Sequence, residues 1–357
     1  MALPSRAQDQ KLVLCTKKQT AMGTALTDAS LIAATTGARY SPDKDVSGQI
    51  DRKFWTDIGL AMKGHDYATT RFETERDYLG AYSFPADSWL AAWIAAFAMG
   101  SITSTQPNVG TNPTAWKHVI KPLDPSAGSK DMPLTTIYLE DAQTANLQRR
   151  LLDCTVKDFS WDFPPSAPAQ LTANIMGSGR QTPGALATPP ALASLNLLMS
   201  NDLVLKYGTQ GAPTDISTQI VRGSVKFGFT WVPDDTNSRT LGGGFYRTRL
   251  WVGGPPQLTL SFQRFVDDAV STPQDDWLAE TIQEVLLHVD GTQIGPGPEK
   301  HYMEVRGLAV RPDVIKLGQS GDKTVYEYSF GPGHWIKQGS ADVVTITCQN
   351  LSTGFLN

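Results

Sequence analysis

"DSWLAAWIAAFAMG", residues 87–100, is the most apolar run of the chain. It holds 11 consecutive apolar residues from Trp89 to Met99, whereas a helix that crosses a bilayer needs about 20. Asp87 and Ser88 directly precede the run, and both residue types are favourable helix N-caps. The stretch therefore predicts a core α-helix and not a membrane anchor.

A second stretch, "DDWLAETIQEVLLHVDG" at residues 275–291, repeats this pattern. When the first tryptophans of the two stretches are aligned, four apolar positions coincide at a spacing that places them on one face of a helix. These helix-face residues are Trp89, Leu90, Ile94 and Phe97 in the first stretch and Trp277, Leu278, Ile282 and Val285 in the second. We expect two helices, each bracing a sheet with its apolar face. Two unrelated amphipathic helices would show no agreement outside the helices.

The agreement extends beyond the two helical stretches. Residues 156–179 align without gaps with residues 310–333, and each segment has the pattern of a strand, a polar turn and a returning strand. The helical stretches are 188 positions apart and the hairpins 154, so the first copy holds 34 more residues between helix and hairpin. We expect these residues to form a long excursion from the first copy.

A tandem duplication explains this order of elements most economically. Residues 1–180 then form the first β unit, which includes an N-terminal arm and a long loop. Residues 181–195 are a linker rich in Pro and Ala, and residues 196–357 form the second β unit. The alternative is two β domains that share only their general patterning.

Composition favours strands over helices in both units. Charged residues make up only 18% of the chain, and there are 31 glycines and 23 prolines, a balance that suits strands and turns. We expect a mainly β fold, in which each unit is a β-sandwich or strongly curved sheet with one flanking α-helix. The net charge of −4 and the lack of clustered Lys and Arg argue against a protein that binds nucleic acid tightly.

The first residues, "MALPSRAQDQK", contain charges and a proline where a secretory signal would have its apolar core. We therefore expect a protein that works without a membrane partner.

The sequence contains no pattern typical of catalysis or of metal binding. Cys15, Cys154 and Cys348 are far apart, and the five histidines lack the spacing of metal ligands. The acid pairs Glu73 with Glu75 and Asp153 with Asp158 are explained by alternating charges on an exposed strand face. We therefore expect a non-enzymatic protein without catalytic, cofactor-binding or metal-binding residues, and with no cofactor.

Several segments, taken in order, resemble those of the major tail tube proteins of long-tailed bacteriophages. The residues that carry the resemblance are "LAAWIAAFAMGSITST", "LLDCTVKDFSWDF" with "QLTANIMGSG", "IVRGSVKFGFTW", "QLTLSFQRF" and "DVVTITCQNLS". They cover most of the chain from about residue 55 to residue 350. The resemblance implies that sheets of neighbouring subunits join into a β-barrel ring and that the rings stack into a siphophage-like tube.

The resemblance also implies partners and a location. Single-unit members of the family close as hexamers, so a duplicated chain favours a homotrimer ring, a pseudo-hexamer, with a true hexamer left open. The implied partners are further copies of the chain, a tape measure protein and tail terminator or baseplate proteins. Double-stranded DNA would pass through without specific binding, repelled by an acidic wall. The protein would be part of the virion, in the phage tail, and would assemble in the host cytoplasm.

Two other readings remain open on the sequence. The chain is alternatively another ring-forming virion component, such as a distal tail, baseplate or terminator protein. It is alternatively a β-sandwich carbohydrate-binding module that uses Trp55, Trp161, Trp231, Trp251 and Trp335 as platforms. Residues 17–53, which are small and polar, predict an arm that orders against another subunit or ring.

Overall fold

The computed structural model describes most of the chain. The described residues are 10–33, 38–40, 48–56, 71–124, 130–141, 148–188, 190–191, 193–234, 238–240, 244, 246–266, 277–339 and 342–357. Strands make up 50% of the chain and helices 9%, and the strands form two antiparallel sheets. The expected mainly β class is therefore confirmed.

The elements are numbered in chain order. The strands are β1 Gln10–Val13, β2 Ala38–Tyr40, β3 Gly48–Thr56, β4 Arg71–Pro85, β5 Gly100–Thr105, β6 Trp116–Pro122, β7 Thr135–Asp141, β8 Arg149–Asp162, β9 Gln170–Gly177, β10 Gln181–Pro183, β11 Leu203–Thr209, β12 Thr214–Asp215, β13 Lys226–Thr230, β14 Gln257–Phe265, β15 Gln283–Gln293, β16 Lys300–Val310, β17 Val314–Ser320, β18 Lys323–Phe330 and β19 Thr345–Asn350. The helices are α1 Asp28–Ala33 and α2 Ser88–Met99.

Eight strands of the larger sheet form one continuous antiparallel row, which we call the strand row. Its order is β3-β4-β9-β8-β13-β14-β18-β17. The N-terminal part of β8 leaves the row and pairs with β7, which is followed by β1 and β2. Neither sheet closes into a barrel within the part of the single chain that is described.

Strict alternation gives the strand row two different faces. One set of directly paired residues crosses six strands and is buried throughout: Phe84, Leu171, Trp161, Phe227, Leu260 and Phe330. The next set crosses five strands on the opposite side: Ser83, Thr172, Ser160, Gly228 and Thr259. We call these the core face and the polar face. The core face carries large apolar side chains and the polar face carries small side chains, most of them hydroxyl-bearing. The core face is therefore the side of the strand row that packs against the rest of the protein.

The second sheet has the order β12-β11-β15-β16-β19-β6-β5. It contains strands from both halves of the chain, because β6 pairs with β19 from the C-terminal end and β5 pairs with β6. The β5–β6 hairpin occupies the long excursion expected between helix and hairpin. The excursion therefore adds two strands to a sheet whose other strands come from the second half of the chain.

The strand order of the first half recurs in the second. The row β3-β4-β9-β8 has the same chain order and pairing as β13-β14-β18-β17. The row β2-β1-β7-β8 likewise matches β12-β11-β15-β16. Even the short β10, which lies beside β8, has a counterpart in β19, which lies beside β16.

Both predicted hairpins are present, but the gap-free alignment between them is wrong in register. Trp161 pairs with Leu171 in the first hairpin, whereas its aligned residue Ile315 pairs with Tyr328, three positions beyond the aligned Val325. The first turn contains three prolines, which end strand pairing early because proline lacks the backbone donor. The second turn is shorter, and Gly321 adopts a φ of 63° there, a conformation that glycine reaches at little cost.

Candidate assembly surfaces

The first predicted helix is α2, and it is buried on every side. Asp87 caps it, because its Oδ1 accepts hydrogen bonds from the backbone N–H groups of Trp89 and Leu90 at 2.9 and 3.0 Å. Gly100 ends the helix with a φ of 85°. The four predicted face residues, Trp89, Leu90, Ile94 and Phe97, are at most 5% exposed. The sequence predicts one apolar face, but all twelve helix residues are buried.

Residues from the C-terminal half cover the start of α2. His301 of β16 hydrogen-bonds the Ser88 hydroxyl at 2.9 Å, and the side-chain amide of Asn350 in β19 donates to the Ser88 carbonyl at 3.2 Å. The Phe355 ring lies 5.8 Å from the Trp89 ring. Strands β16 and β19 of the second half therefore cover the start of α2, which also packs on β8, β6 and β5 of the first half.

The second predicted helix is wrong over most of its length. Val285 lies in strand β15, Ile282 lies just before it, and only Trp277 and Leu278 belong to the described part of a helix. In β15, every second residue from Val285 to Val289 is buried, and the strand pairs with β11 on one side and β16 on the other. Two flanking strands satisfy its backbone groups, and this outweighs a local pattern that also fits a helix.

Trp277 and Leu278 are exposed, in contrast to the residues aligned with them. Trp277 is 37% exposed and Leu278 is 72% exposed. The Trp277 indole N–H donates to the carbonyl of Asp313 at 3.1 Å, which places the ring at the start of β17. Leu317, on β17 itself, is 57% exposed. These three apolar side chains, together with strand β17, form what we call the β17 patch.

The two halves meet inside the strand row at a contact that we call the internal junction. Here β8 pairs with β13 from Asp158–Thr230 to Asp162–Lys226. The Trp231 indole extends the contact by donating to the carbonyl of Val156 at 2.7 Å. The Phe159 and Phe229 rings stack at 5.3 Å on the core face. The junction is therefore a fully built strand-to-strand interface.

Of the acids noted in the sequence, Glu73, Glu75 and Asp153 lie in ion pairs, and Asp153 is not on an exposed face. Arg76 and Arg52 bind the Glu73 carboxylate at 2.6 Å each and hold the pKa of that carboxyl down at about 2. Asp153 is fully buried, which corrects the expected exposure. Its carboxylate accepts from Ser178 and from the backbone N–H of Gly23, the latter at 2.6 Å.

Asp153 therefore ties the beginning of the expected arm to its own chain. Gln19 adds to this, because its side-chain amide donates to Thr136 at 3.0 Å and its oxygen accepts from the Asp153 backbone at 3.1 Å. Leu31 of α1 is fully buried. Residues 17–33 of the arm thus pack on the same chain, while 34–37 and 41–47 lie outside the described residues.

Three tryptophans proposed as sugar platforms are core residues. Trp161, Trp231 and Trp335 are between 0% and 7% exposed. The Arg249 guanidinium carbon lies 4.6 Å from the centre of the Trp251 ring, in a cation–π contact. The Trp55 side chain lies outside the described residues. The row of platforms expected for a carbohydrate-binding module is not assembled by these residues.

One serine, histidine and asparagine set has the order of a hydrolase relay. His118 Nδ1 lies 2.9 Å from the Ser104 hydroxyl and Nε2 lies 3.2 Å from Asn350 Oδ1. Burial lowers the pKa of His118 to about 4, so the imidazole is a weak base. Its ring packs edge-on against Phe355 at 4.9 Å. We interpret the set as a hydrogen-bonded core contact.

The buried His118 predicts acid sensitivity. The unfolded chain binds a proton below about pH 6.5 and the folded chain only below about 4, so stability falls as the pH drops through this window. At pH 5 the loss relative to pH 8 is about 2 kcal/mol from this residue. Urea unfolding at both pH values should show a smaller pH effect in His118→Gln than in the parent chain. An equal pH effect in the two proteins would contradict the assignment.

The remaining chemistry of the described residues is structural. Among them, no group of three or more His, Cys, Asp or Glu side chains is placed to hold a metal ion. Cys15, Cys154 and Cys348 are buried, and burial raises the pKa of each thiol. In the described part of the chain, no helix has the length and apolarity needed to span a bilayer.

Comparison with known proteins agrees with the resemblance seen in the sequence. The family model for phage tail tube proteins matches residues 9–296. A search of the curated proteins finds no match. The match spans most of the chain, including α2, the internal junction and the first two strands of the repeated row in each half. The chain belongs to the phage tail tube protein family and is a structural tail tube protein of the virion.

Proposed function

We propose that this protein is the ring subunit of a stacked tail tube, that three chains make one ring, and that viral DNA passes through the lumen. The observation that carries the proposal is the repeated strand order. Two equivalent four-stranded units stand side by side in one sheet, with the last strand of the first unit paired to the first strand of the second. A sheet built in this way continues in the same direction when further units are added.

The proposed duplication assigns residues 1–180 to the first unit and residues 196–357 to the second. The segment between them, residues 181–195, contains β10, which pairs with β8 of the first unit. The matched positions of β10 and β19 support a repeat boundary shortly after β10. A chain with two units reaches six-fold geometry with three copies, and its strand rows would supply 24 strands to a closed wall.

The polar face supports passage of DNA. Its two lysines on β13 and β17 are each matched with an acid: Lys226 lies 3.5 Å from Asp162, and Lys316 lies 2.9 Å from Glu327. Between them lie small hydroxyl-bearing and amide side chains. A wall with compensated charge offers few cations to phosphates, and counterion release is the main source of non-specific DNA affinity. We propose that the polar face lines the lumen.

The proposed partners follow from a tube. Copies of the same chain would stack above and below each ring, and a tape measure protein would occupy the lumen during assembly in the host cytoplasm. Terminator and baseplate proteins would close the two ends. The excursion β5–β6 and the arm offer surfaces for such contacts outside the strand row.

The experiment that tests the proposal is negative-stain electron microscopy across a concentration series, combined with native mass measurement of the smallest ring. We expect hollow tubes, and rings of three chains. Six chains per ring would contradict the proposed use of the duplication. Rings that never stack would instead favour a terminator or baseplate role, and a monomer at every concentration would overturn the proposal.

A further inference from the structure

We propose that a network of hydrogen bonds around His118 and His301 is an acid-sensitive switch that holds the two halves of the protein together at the start of α2. Its members are Ser104, His118, Asn350, Ser88 and His301, which lie in β5, β6, β19, α2 and β16 in that order. We call it the histidine network. The members in β5, β6 and α2 belong to the first half, and those in β16 and β19 belong to the second. The switch lies within the single chain and does not depend on ring formation.

The links of the histidine network run without a break from one half to the other. The Ser104 hydroxyl lies 2.9 Å from His118 Nδ1, and His118 Nε2 lies 3.2 Å from Asn350 Oδ1. The Asn350 side-chain amide donates to the Ser88 carbonyl at 3.2 Å, and the Ser88 hydroxyl lies 2.9 Å from His301 Nδ1. His118, Ser88 and Asn350 are at most 1% exposed and His301 is 5% exposed. Buried polar groups of this kind are stable only while their hydrogen bonds are satisfied.

The backbone around Asn350 determines which nitrogen of His118 carries the hydrogen. The Ser352 backbone N–H donates to Asn350 Oδ1 at 2.8 Å, while the amide nitrogen of Asn350 donates to the Ser88 carbonyl. Because Oδ1 is an acceptor, His118 Nε2 must donate to it. His118 Nδ1 then accepts from the Ser104 hydroxyl. The closed network therefore requires a neutral imidazole and uses both of its nitrogens.

A positive charge on His118 has no compensating partner among the described residues that face it. These residues are Ser104 in β5, Cys348 directly opposite in β19 and Phe355 in the C-terminal segment. Burial raises the pKa of the Cys348 thiol, so this group stays uncharged. Burial also lowers the pKa of His118 to about 4. A proton on His118 is therefore excluded while the network is closed.

His301 is in a similar position at the other end of the network. The carboxylate of Asp87 favours the charged imidazole, but burial outweighs this effect, and the pKa of His301 is lowered. Asp87 already accepts two backbone hydrogen bonds as the cap of α2. Gly291, which lies beside His301 in β15, has no charge to offer. The N-terminus of α2 carries a partial positive charge, which further disfavours a cation next to Ser88.

Acid therefore favours opening of the network. Above about pH 6.5 both imidazoles are neutral in the open and the closed form, so the closed form has its full stability. Below this pH the open form takes up protons that the closed form excludes, in the case of His118 down to about pH 4. Because Asn350 and Ser88 join the two histidines, opening frees both of them. Between pH 6 and pH 5 the equilibrium constant for opening should rise about 30-fold, compared with less than about tenfold for a single histidine.

Opening of the network uncovers the thiol of Cys348. Cys348 is fully buried in β19, which packs on α2, and it lies between His118 in β6 and Met303 in β16. Cys154 in β8 is also fully buried, but it precedes Thr155, whose hydroxyl donates to a carbonyl near the far end of α2. Labelling of Cys348 therefore reports separation of β19 from the start of α2. Labelling of Cys154 reports unfolding beyond the network.

Thiol labelling with a pyridyl disulfide reagent, which reacts in acid as well as at neutral pH, measures the opening. The protein is labelled at pH 6 and at pH 5, and digestion followed by mass spectrometry gives the rate at each cysteine. We expect the Cys348 rate, relative to the rate in the urea-unfolded chain, to rise about 30-fold between the two pH values. At pH 5 the Cys154 rate should remain at least about tenfold below the Cys348 rate, because the opening is local.

Variants that remove one histidine at a time test the coupling. His118→Gln and His301→Gln should each reduce the rise to less than about tenfold, and the double variant should nearly abolish it. Each rise compares one protein at two pH values, so a general loss of stability in a variant cancels. The matched control is His334→Gln, since the His334 side chain is 37% exposed and lies outside the network. This control should keep the rise of about 30-fold.

Three results would overturn the proposal. Equal labelling of Cys348 and Cys154 at pH 5 would show that acid unfolds the whole chain and does not open the network alone. An unchanged rise in His118→Gln or in His301→Gln would show that this histidine takes up no proton on opening. A rise of less than about tenfold in the parent protein would show that the two histidines are not freed together.

Discussion

Ile94→Asp is expected to prevent folding of the chain. Ile94 is fully buried in a helix that is itself buried on every side. The substitution removes an apolar side chain worth about 2 to 3 kcal/mol of burial and places a carboxylate where no partner is available. The combined cost reaches about 5 kcal/mol or more, which is comparable with the whole stability of an ordinary domain. Soluble yield and the far-ultraviolet circular dichroism melting curve measure the result.

Two control variants separate the effect of the buried position from the effect of the introduced charge. Ile94→Val should cost only about 1 kcal/mol, because it removes a single methylene group from the same site. Leu278→Asp introduces the same charge at an exposed position. Leu278 is aligned with Leu90, which lies in the same helix as Ile94, but Leu278 is 72% exposed, so the monomer should fold normally. A cooperative transition for Ile94→Asp at the parent temperature would show that the helix is not part of the core.

Lysines on the polar face are expected to make assembled tubes retain DNA. Thr172 and Thr259 lie in the same polar row, separated by Ser160 and Gly228. In a ring of three chains, the double substitution Thr172→Lys with Thr259→Lys adds six positive charges to the proposed wall. Each lysine near a phosphate raises the slope of log affinity against log salt by about one. Tubes polymerised with short duplex DNA should therefore hold nuclease-protected DNA at about 50 mM salt and release it near 0.5 M.

The parent tubes and a Thr172→Gln, Thr259→Gln variant should retain at least about tenfold less protected DNA, since neither adds charge. A variant with two lysines at Thr103 and Thr105 of β5 carries the same charge outside the strand row. If that variant protects as much DNA as the polar-face variant, the assignment of the polar face to the lumen is wrong.

The sequence predicts those elements whose stability depends on residues close together in the chain. The 11 apolar residues after Asp87 specify α2, because capping groups and uninterrupted apolar side chains act within a few residues. The alternation of Phe159, Trp161 and Phe163 with polar residues likewise specifies a strand with one buried face. Both hairpins follow from polar turns between such strands, and the three prolines of the first turn account for the register difference.

The same local patterns fail where distant strands decide. Residues 275–291 show a helical spacing, and the choice of strand from Gln283 onward depends on pairing with β11, which lies far away in the chain, and with the following strand β16. Asp153 has the sequence context of an exposed strand acid, yet Ser178 and Gly23 come together around it in the fold. The spacing of residues within a short segment of the sequence does not indicate these neighbours.

The sequence alone determined the mainly β class, helix α2 and the two hairpins, since these depend on side-chain polarity and turn chemistry within short segments. Only the tertiary structure decided that α2 is enclosed on all sides, that the second helical pattern becomes β15, and that Trp277, Leu278 and Leu317 remain exposed. The physical reason is that burial and backbone hydrogen bonding depend on which strands become neighbours. At the internal junction those neighbours come from the other half of the chain.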